Sequence, residues 1–553
     1  MALANGYGGG IVGLGEEVTY GTAVTRTKFF EITSDGLVFN EEKLRSGAIP
    51  GIYRDDDEVT QGAITVSGDI SFETRYEGNW LPVKHAMGAV GTVEVASFAV
   101  VTGNKYIDFK ENAGSELTAT ATASTYKMGE RSHYEIGATN NKINFKEDAG
   151  SELTATLSTA EYATATLLAA QIKTQLEAAG AGTYTVAYSA TTGKFTISVA
   201  GAATTFQFLW KTGTNGADGT DVSCHDELGF LDTLDGVDAA SDTSDYSTFD
   251  PDGSLCAHLK TILEAAGEGT YTVTFSNSTK KLIIAVAGSA SAVQFLWKTG
   301  THGSDGSNDS MVALLGFTAG ADGANGASDI SDTAVVTLFD STFTLENELP
   351  TGLSIEVDRD QTAFTGEGCK INTMNFSVEQ GGFLMCTLGI VGEDMNDGTV
   401  TSSTVSSSAI ANFIQAAAVW SSAIPVTNFE FTLNNNLKTD RRFIGARTMS
   451  EPKRNGKIEV TGSFTAEFDS TDEFIAFQAA TEAAASLTMT GGTIKTGYTY
   501  AITVTFPITV IEECNPLIEN EGPIMQTCNF TAYATDSTTR EFNIVVRNTE
   551  SSI

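Results

Sequence analysis

The sequence has few basic residues and no long apolar run. Lys and Arg number 32 against 69 Asp and Glu, which leaves a formal net charge of −37. A surface that acidic repels phosphate groups, so ordinary nucleic-acid binding is disfavoured, although acidity also serves solubility alone. No stretch approaches the roughly 18 apolar residues of a membrane-spanning helix, so we expect no contact with a membrane.

Motifs for catalysis and for metal binding are also scarce. The six Cys show neither CxxC spacing nor metal-ligand spacing to a His, so buried thiols are the default interpretation. The five His lie outside HExxH and outside any nucleophile elbow. Asp-rich turns at 232–236 and 250–253 do not match a calcium-binding loop. We therefore predict no enzyme activity, no catalytic residue, no cofactor and no metal site.

The N-terminus indicates synthesis in a cytoplasm. Residues 1–15 lack a basic region, and Glu16 and Glu17 stand where a cleavage site would follow, so we expect no signal peptide. Cys514 and Cys528 flank a predicted turn at 519–522 almost symmetrically. A cross-strand disulfide between them is conceivable, but cytoplasmic reduction opposes it.

The abundant residues favour β structure. Thr, Val, Ile and Phe alternate along many stretches, Gly is frequent (55) and Pro is scarce (9). This mixture is typical of strands joined by Gly-containing turns. The fold class that we predict is mainly β, with smaller α+β parts.

Two interleaved repeats occupy the middle of the chain. Residues 172–230 align without a gap with residues 259–317, and both copies contain LEAAG, GTYTV and QFLWKTGT. A separate phrase, IDFKENAGSELTAT at 107–120, returns as INFKEDAGSELTAT at 143–156. The order along the chain is therefore start, start, end, end, which predicts one α+β module nested inside another.

The nested interpretation assigns residues 104–133 and 241–334 to an outer module and residues 134–240 to an inner module. A degenerate first copy that lost its middle is the alternative. Within the inner module, apolar spacing predicts a helix over 164–179 that Gly180 ends, followed by a hairpin over 184–199.

The flanks of the chain contain a weaker duplication. ITVSGDISFE at 64–73 resembles IEVTGSFTAE at 458–467, and a helical pattern follows each phrase, over 78–88 and 472–485. A strand and a long polar loop precede each phrase. We therefore predict two versions of one domain, at 1–103 plus 335–396 and at 420–553, with a linker at 397–419.

Several ordered segments resemble the tail tube proteins of siphophages. They are GLGEEVTYGT at 13–22, VSGDISFETRYEGNWLPVKHAMG at 66–88, LSIEVDR at 353–359 and GCKINTMNFSVEQGGFLMCTLGIVGED at 368–394. The resemblance implies two β-sandwich or barrel domains, each with a flanking helix, and assembly into stacked rings around a DNA-conducting channel. The two inserted modules resemble small α+β units of phage virion proteins.

The same resemblance implies a structural component of the virion tail. Its partners would be copies of itself and other tail proteins, and DNA would pass through without specific binding. Two tube domains in one chain predict trimeric, pseudo-sixfold rings, and we expect the modules to decorate the outer surface. A specialised tail component remains open, and the alternative function is a tail-tip or adhesin protein whose modules bind host-surface glycans.

Two long loops of opposite charge are the candidates for directing assembly. We predict that they meet between neighbouring copies and set the register by charge complementarity. Two solvated loops, or nucleic-acid binding by the basic loop, are the alternatives. The assembly candidates are Asp55, Asp56, Asp57, Glu58, Arg441, Arg442, Arg447, Lys453 and Arg454.

Four acidic residues on the two matching strands are candidates for lining the channel. An acidic lining would keep DNA phosphates from forming contacts with the wall. The candidates are Asp69, Glu73, Glu459 and Glu467.

Overall fold

The computed structural model describes residues 9–45, 59–129, 133–189, 194–230, 234–244, 254–276, 279–401, 404–518, 521–534 and 540–553. The fold is mainly β, as predicted. The chain forms two compact units, which we call the terminal unit (Met1–Gly91 with Asp340–Ile553) and the middle unit (Thr92–Phe339). Among the described residues, every helix is too short or too polar to cross a membrane.

The first part of the chain contains six strands and one helix. In order they are β1 (Ile11–Glu16), β2 (Lys28–Glu31), β3 (Ser34–Asp35), β4 (Val38–Arg45), β5 (Val59–Glu73), α1 (Leu81–Met87) and β6 (Gly88–Glu94).

The middle part alternates short strands with three helices. In order they are β7 (Phe98–Val100), β8 (Tyr106–Glu111), β9 (Leu117–Thr120), β10 (Ser124–Tyr126), β11 (Tyr134–Ile136), β12 (Lys142–Glu147), β13 (Leu153–Thr156), β14 (Ala160–Tyr162), α2 (Ala165–Ala179), β15 (Gly182–Ser189), β16 (Lys194–Gly201), β17 (Phe206–Phe208), α3 (His225–Leu228), β18 (Ser241–Thr243), α4 (Leu255–Ala266), β19 (Gly269–Ser276), β20 (Lys281–Gly288), β21 (Val293–Phe295) and β22 (Ser328–Ile330).

The last part returns to long strands. In order they are β23 (Phe339–Leu345), β24 (Leu353–Asp358), β25 (Ala363–Glu379), β26 (Met385–Gly392), β27 (Asp394–Gly398), β28 (Ala416–Trp420), β29 (Ser422–Ile424), β30 (Val426–Asn434), β31 (Glu459–Glu467), α5 (Asp472–Ala479), β32 (Ala483–Lys495), β33 (Tyr498–Cys514), β34 (Met525–Ala532) and β35 (Asn543–Asn548).

One sheet layer of the terminal unit runs through both flanking parts of the chain. Its strand order is β4–β5–β26–β25–β30–β31–β34–β33, and every neighbouring pair is antiparallel. The pairing of β25 with β30 joins the first predicted tube domain to the second. We call this sheet the continuous layer. The two predicted domains therefore share a sheet, and their exact boundaries stay a prediction.

The two longest strands leave the continuous layer at one end and enter a second layer. The first residues of β25 pair with β24 and β27. The first residues of β33 pair with β32 and β35, and β28, which begins inside the predicted linker, extends that sheet beside β32. This crossing of long strands between layers produces the sandwich architecture that the family resemblance implied.

Aromatic side chains fill the space between the layers. Phe431 is fully buried, and its ring centroid lies 5.4 Å from that of Phe376 and 5.3 Å from that of Phe506. Phe376 and Phe431 also face each other across the β25–β30 pairing. Because β25 and β30 come from different flanks of the chain, one core stabilises both.

The two predicted flanking helices are present but differ in length from the prediction. The pattern at 78–88 forms α1, which begins only at Leu81 and carries Pro82 in its first turn. The pattern at 472–485 was wrong in its second half, because α5 ends at Ala480 in a left-handed conformation and β32 starts at Ala483. The alanines of that stretch fit either structure, and pairing with β33 decides for a strand.

The middle unit contains two separate hydrophobic clusters. Buried side chains of 98–128 and 255–335 form one cluster, and those of 134–230 form the other. Each cluster is covered by its own pair of three-stranded sheets, and the two pairs are built from equivalent strands. The sheets have the orders β9–β8–β21 and β19–β20–β22 in one case, and β13–β12–β17 and β15–β16–β18 in the other. Strand β18 pairs with β16, although our prediction placed residue 241 in the outer module.

Both clusters are held by an equivalent carboxylate at the end of the first strand. Glu147 accepts hydrogen bonds from the backbone of Gly182 at 2.9 Å and from the hydroxyl of Tyr184 at 2.9 Å. Glu111 accepts the matching bonds from Gly269 at 3.0 Å and from Tyr271 at 2.8 Å. The sequence repeat therefore corresponds to a repeat of buried polar contacts as well as of apolar residues.

The helix and hairpin predicted for the inner module are confirmed. Thr164 caps α2 by accepting a hydrogen bond from the backbone of Leu167, and Gly180 ends the helix. Strands β15 and β16 then pair along their whole lengths.

Candidate functional site

The continuous layer has one face in the core and one face in solvent. Side chains alternate between the two faces because successive residues of a strand point to opposite sides. In β31, Val460, Phe464 and Ala466 are buried, whereas Glu459 and Glu467 are exposed. We call the side that points away from the core the outer face.

Residues of the outer face form rows that cross the whole layer. Directly opposite residues on neighbouring strands lie on the same face. One row contains Glu73, Met385, Ser377, Glu430, Ser463, Asn529 and Glu513. A second row contains Asp69, Gly389, Thr373, Asn434 and Glu459.

From β5 to β34 the outer face carries negative charge and hydroxyl groups without a basic residue, whereas Lys43 and Arg45 lie on the same face of the edge strand β4. Its described positions on β5, β26, β30, β31, β34 and residues 373–379 of β25 contain no Lys and no Arg. Hydroxyls pair across strands, as Ser71 with Thr387 at 2.9 Å and Thr465 with Thr527 at 3.0 Å. Such a surface offers a phosphate neither a cation nor many free donors.

All four predicted lining residues lie on this outer face. Asp69 and Glu459 share one row, Glu73 lies opposite Met385, and Glu467 lies opposite Met525. Our prediction missed further acidic residues on the same face, namely Glu379, Glu430 and Glu513. The alternation of Phe429, Phe431 and Leu433 with polar residues was the signal that could have identified Glu430.

The basic loop lies against strand β5. Arg447 donates from Nε to the carbonyl of Gly62 at 3.2 Å and forms an ion pair with Glu41. The backbone of Ile64 donates to the carbonyl of Arg447 at 2.9 Å. Arg442 donates to the carbonyl of Ile64 as well. This loop therefore extends the edge of β5 beyond the end of β26.

The remaining basic candidates also contact their own chain. Arg441 donates to the carbonyl of Glu451 at 2.7 Å, and Lys453 lies 3.2 Å from the Glu451 carboxylate. Arg454 donates to the carbonyl of Asn347 at 2.6 Å. The acidic candidates Asp55, Asp56, Asp57 and Glu58 lie outside the described residues, so the predicted meeting of the two loops stays a prediction.

A charged cluster ties helix α1 to strand β1. The Glu16 carboxylate lies 2.6 Å from Nζ of Lys84 and 3.0 Å from Nε2 of His85. Burial raises the pKa of Glu16, but the hydrogen bonds from His85 and Lys84 outweigh it and lower that pKa to about 2. Burial lowers the pKa of His85, against the opposing effect of Glu16. These groups hold helix α1 against strand β1.

The cysteines fall into two classes. Cys224, Cys256, Cys369 and Cys386 are buried thiols outside the disulfide, in agreement with the default interpretation. Cys514 and Cys528 form a disulfide between opposite positions of β33 and β34, with Cα atoms 4.2 Å apart, which corrects that interpretation for this pair. Among the described residues, no group of three or more His, Cys, Asp or Glu could hold a metal ion.

Comparison with known protein families supplies the decisive observation. Residues 306–532 match the family model described as phage tail tube protein. This match to the second part of the chain supports a phage tail tube protein. The match includes β25, β30, β31 and β34, which form the centre of the continuous layer of this tail tube protein. No curated protein matches the chain.

The matched domain supports a structural role in the phage tail. The tail tube family implies a component of the virion tail that assembles with copies of itself and with other tail proteins.

Proposed function

We propose that copies of this tail tube protein form stacked rings whose outer face, as defined above, lines a DNA-conducting channel. The observation that carries the proposal is the absence of Lys and Arg from the described outer positions of β5, β26, β30, β31, β34 and residues 373–379 of β25. A wall of carboxylates and mutually bonded hydroxyls lets DNA pass without specific binding, because it gives the phosphates nothing to bind. The protein then acts without catalysis, cofactor or membrane.

We also propose that three chains close each ring with pseudo-sixfold symmetry. The two flanks of the chain contribute matching strands to one layer, with β5 and β31 in equivalent places and β26 and β34 likewise. One chain therefore supplies two successive sectors of the wall, and three chains supply six. A closed ring of this kind requires a head-to-tail contact that repeats from copy to copy.

The middle unit is proposed to decorate the outside of the tube as two nested modules. Support comes from the separate hydrophobic clusters and from the pairing of β8 with β21, which joins the start of the outer repeat to its end. Because β18 pairs with β16, we extend the inner module from residue 240 to at least Thr243. Synthesis takes place in the host bacterial cytoplasm before incorporation into the virion.

A charge reversal on the outer face tests the channel proposal. Asp69→Lys, Glu459→Lys and Glu467→Lys in one chain should leave the tube assembled but slow DNA passage about tenfold, because each new cation binds phosphate. The rate of DNA entry into host cells should recover as salt concentration rises. Glu268→Lys, an exposed position of the middle unit, is the matched control and should have no effect.

Two results would contradict the proposal. One is an unchanged rate of DNA entry in the triple variant, which would remove these residues from the channel wall. The other is a purified wild-type protein that remains a defined small oligomer with no hollow assembly, which is the behaviour expected of an adhesin.

A further inference from the structure

The continuous layer ends in two open strand edges. On one side, β3 and β4 pair only with β5 among the described strands. On the other side, residues 510–514 of β33 pair only with β34 among the described strands. Open edges present unpaired backbone groups that another strand can bind, and natural proteins cover or block them.

The junction inside the chain shows how such an edge is covered. Strand β25 pairs with β30, placing Met374 opposite Leu433 and Phe376 opposite Phe431. All four side chains are buried in the core. On the outer face of this junction, Asn375 donates to the hydroxyl of Thr432 at 2.9 Å.

Strands β3 and β4 occupy the place that β30 has in the other half. Val38 lies opposite Ser67 of β5, just as Thr432 lies opposite Thr461 of β31. Aligning β5 with β31 by their shared phrase therefore equates Val38 with Thr432. By the same alignment, Phe39 is equivalent to Leu433.

The free edge of β33 occupies the place that β25 has in the other half. Cys528 of β34 and Cys386 of β26 are equivalent, and they lie opposite Cys514 and Phe376 respectively. At the next two paired positions, Glu513 is equivalent to Asn375 and Ile511 is equivalent to Met374. Residue 512 is the extra residue of a β-bulge in β33 and has no equivalent in β25.

The exposure of equivalent side chains shows that one neighbour is missing. Leu433 is 0% exposed because β25 covers it, whereas Phe39 at the matching place is 42% exposed. Beyond the end of β33, Leu517 and Ile518 are exposed by 62% and 80%. Both edges thus present apolar side chains that a second copy of the chain would bury.

We propose that residues 34–40 of one copy pair with residues 510–515 of the next copy, in the register of the internal β25–β30 junction. This proposal rests on ring assembly as proposed above and specifies its contact surface. Val38 then lies opposite Glu513, and Phe39 lies opposite Ile511. The internal junction is the template, and the contact between copies repeats it head to tail.

Charge variants at Val38 and Glu513 test the register in the full-length protein. Val38→Glu places two carboxylates opposite each other and should raise the protein concentration needed for half-assembly about fivefold, a factor that corresponds to about 1 kcal/mol. Val38→Lys is the matched control and should assemble at least as well as the wild type. Adding Glu513→Lys should restore the first variant and impair the second.

The measurements are sedimentation and negative-stain microscopy for assembly, with circular dichroism to confirm that each variant is folded. Equal effects of Val38→Glu and Val38→Lys, or no exchange of effects when Glu513→Lys is added, would overturn the register while wild-type tubes still support ring assembly. A wild-type protein that forms no rings or tubes would instead overturn the proposed function. The Val38→Lys pair gives the same test should Val38→Glu reduce folding.

Discussion

The two flanks of this tail tube protein place equivalent strands in different surroundings. Strand β30 is paired on both sides, with β25 and with β31, and its alternate side chains are fully buried. Among the described strands, β3 and β4 pair with β5 alone, and Phe39 remains half exposed. The same alternating pattern therefore yields core in one half and an open edge in the other. The difference locates the surface that assembly has to complete.

A second difference concerns the strand that faces each junction. In β25, Phe376 lies opposite the free thiol of Cys386 and packs against Phe431 of the next strand. In β33, Cys514 lies opposite Cys528 and is bonded to it. The strand with a covalent link to its neighbour is the one whose other side is open. The disulfide joins this edge to β34, and residues 510–514 have no second partner among the described strands.

The largest expected effect is a loss of stability at the β25–β30 junction, which the open edge of β3 and β4 should not show. Phe431→Ala should lower the free energy of unfolding by about 3–5 kcal/mol, because it leaves a cavity among Phe376, Phe506 and Phe542. Phe39→Ala should cost the isolated chain less than about 1 kcal/mol but weaken tube assembly. Chemical denaturation measures the first effect and sedimentation the second. Equal losses of stability would remove the contrast between the two strands.

The disulfide should contribute the next largest effect. Its two cysteines are separated by 14 residues, and closing a loop of that size stabilises a folded protein by about 3 kcal/mol. Reduction should therefore lower the thermal midpoint of the wild type. The variant Cys514→Ser with Cys528→Ser should have the lower midpoint under both conditions. A wild-type midpoint that ignores the reductant would show that the bond does not stabilise the edge strand.

Acid should weaken the helix of the first half specifically. The lowered pKa of His85 contributes stability above pH 6.5, the ordinary pKa, that is lost as pH falls below it. Glu16, with a pKa lowered to about 2, contributes stability above pH 4.5 that is lost between there and about 2. Below pH 6.5 the thermal midpoint of the wild type should fall by about 2–4 °C, the change that about 1 kcal/mol produces in a large domain. The variant His85→Gln should not show this fall.

The smallest expected effect concerns a hydrogen bond on the outer face of the β25–β30 junction. We compare it with the equivalent place on the open edge. Thr432→Val removes the acceptor for Asn375 and should cost about 0.5–1.5 kcal/mol, because a buried or half-buried hydrogen bond is lost. Val38→Thr, the reverse change at the equivalent place, should leave the stability of the isolated chain unchanged. Denaturation of both variants measures the difference. A larger loss for Val38→Thr would contradict the equivalence of the two strands.

Local patterns in the sequence predicted much of the fold. The alternation at 64–73 and 458–467 placed β5 and β31, and the spacing at 164–179 placed α2 with its cap. The alanine-rich stretch at 480–485 could not be assigned locally, because its strand state depends on pairing with β33. The disulfide was disfavoured because a cytoplasm is reducing. That argument contains no information about structure, in which Cys514 and Cys528 lie on adjacent strands.

The site was predicted less completely than the fold. Asp69, Glu73, Glu459 and Glu467 were chosen as acidic residues of the two matching strands, and the structure places all four on the outer face. The β25–β30 pairing that makes this face continuous joins residues far apart in the chain, and single-strand patterns carry no information about it. For the same reason the contacts of Arg442 and Arg447 with β5 of their own chain were not predicted.

The most direct test of the account is an image reconstruction of the assembled tube at a resolution that separates strands. The account predicts three chains in each ring, residues 34–40 of one chain beside residues 510–515 of the next, and the acidic outer face toward the lumen. Six chains in each ring, or a lumen lined by the opposite face of the layer, would contradict it.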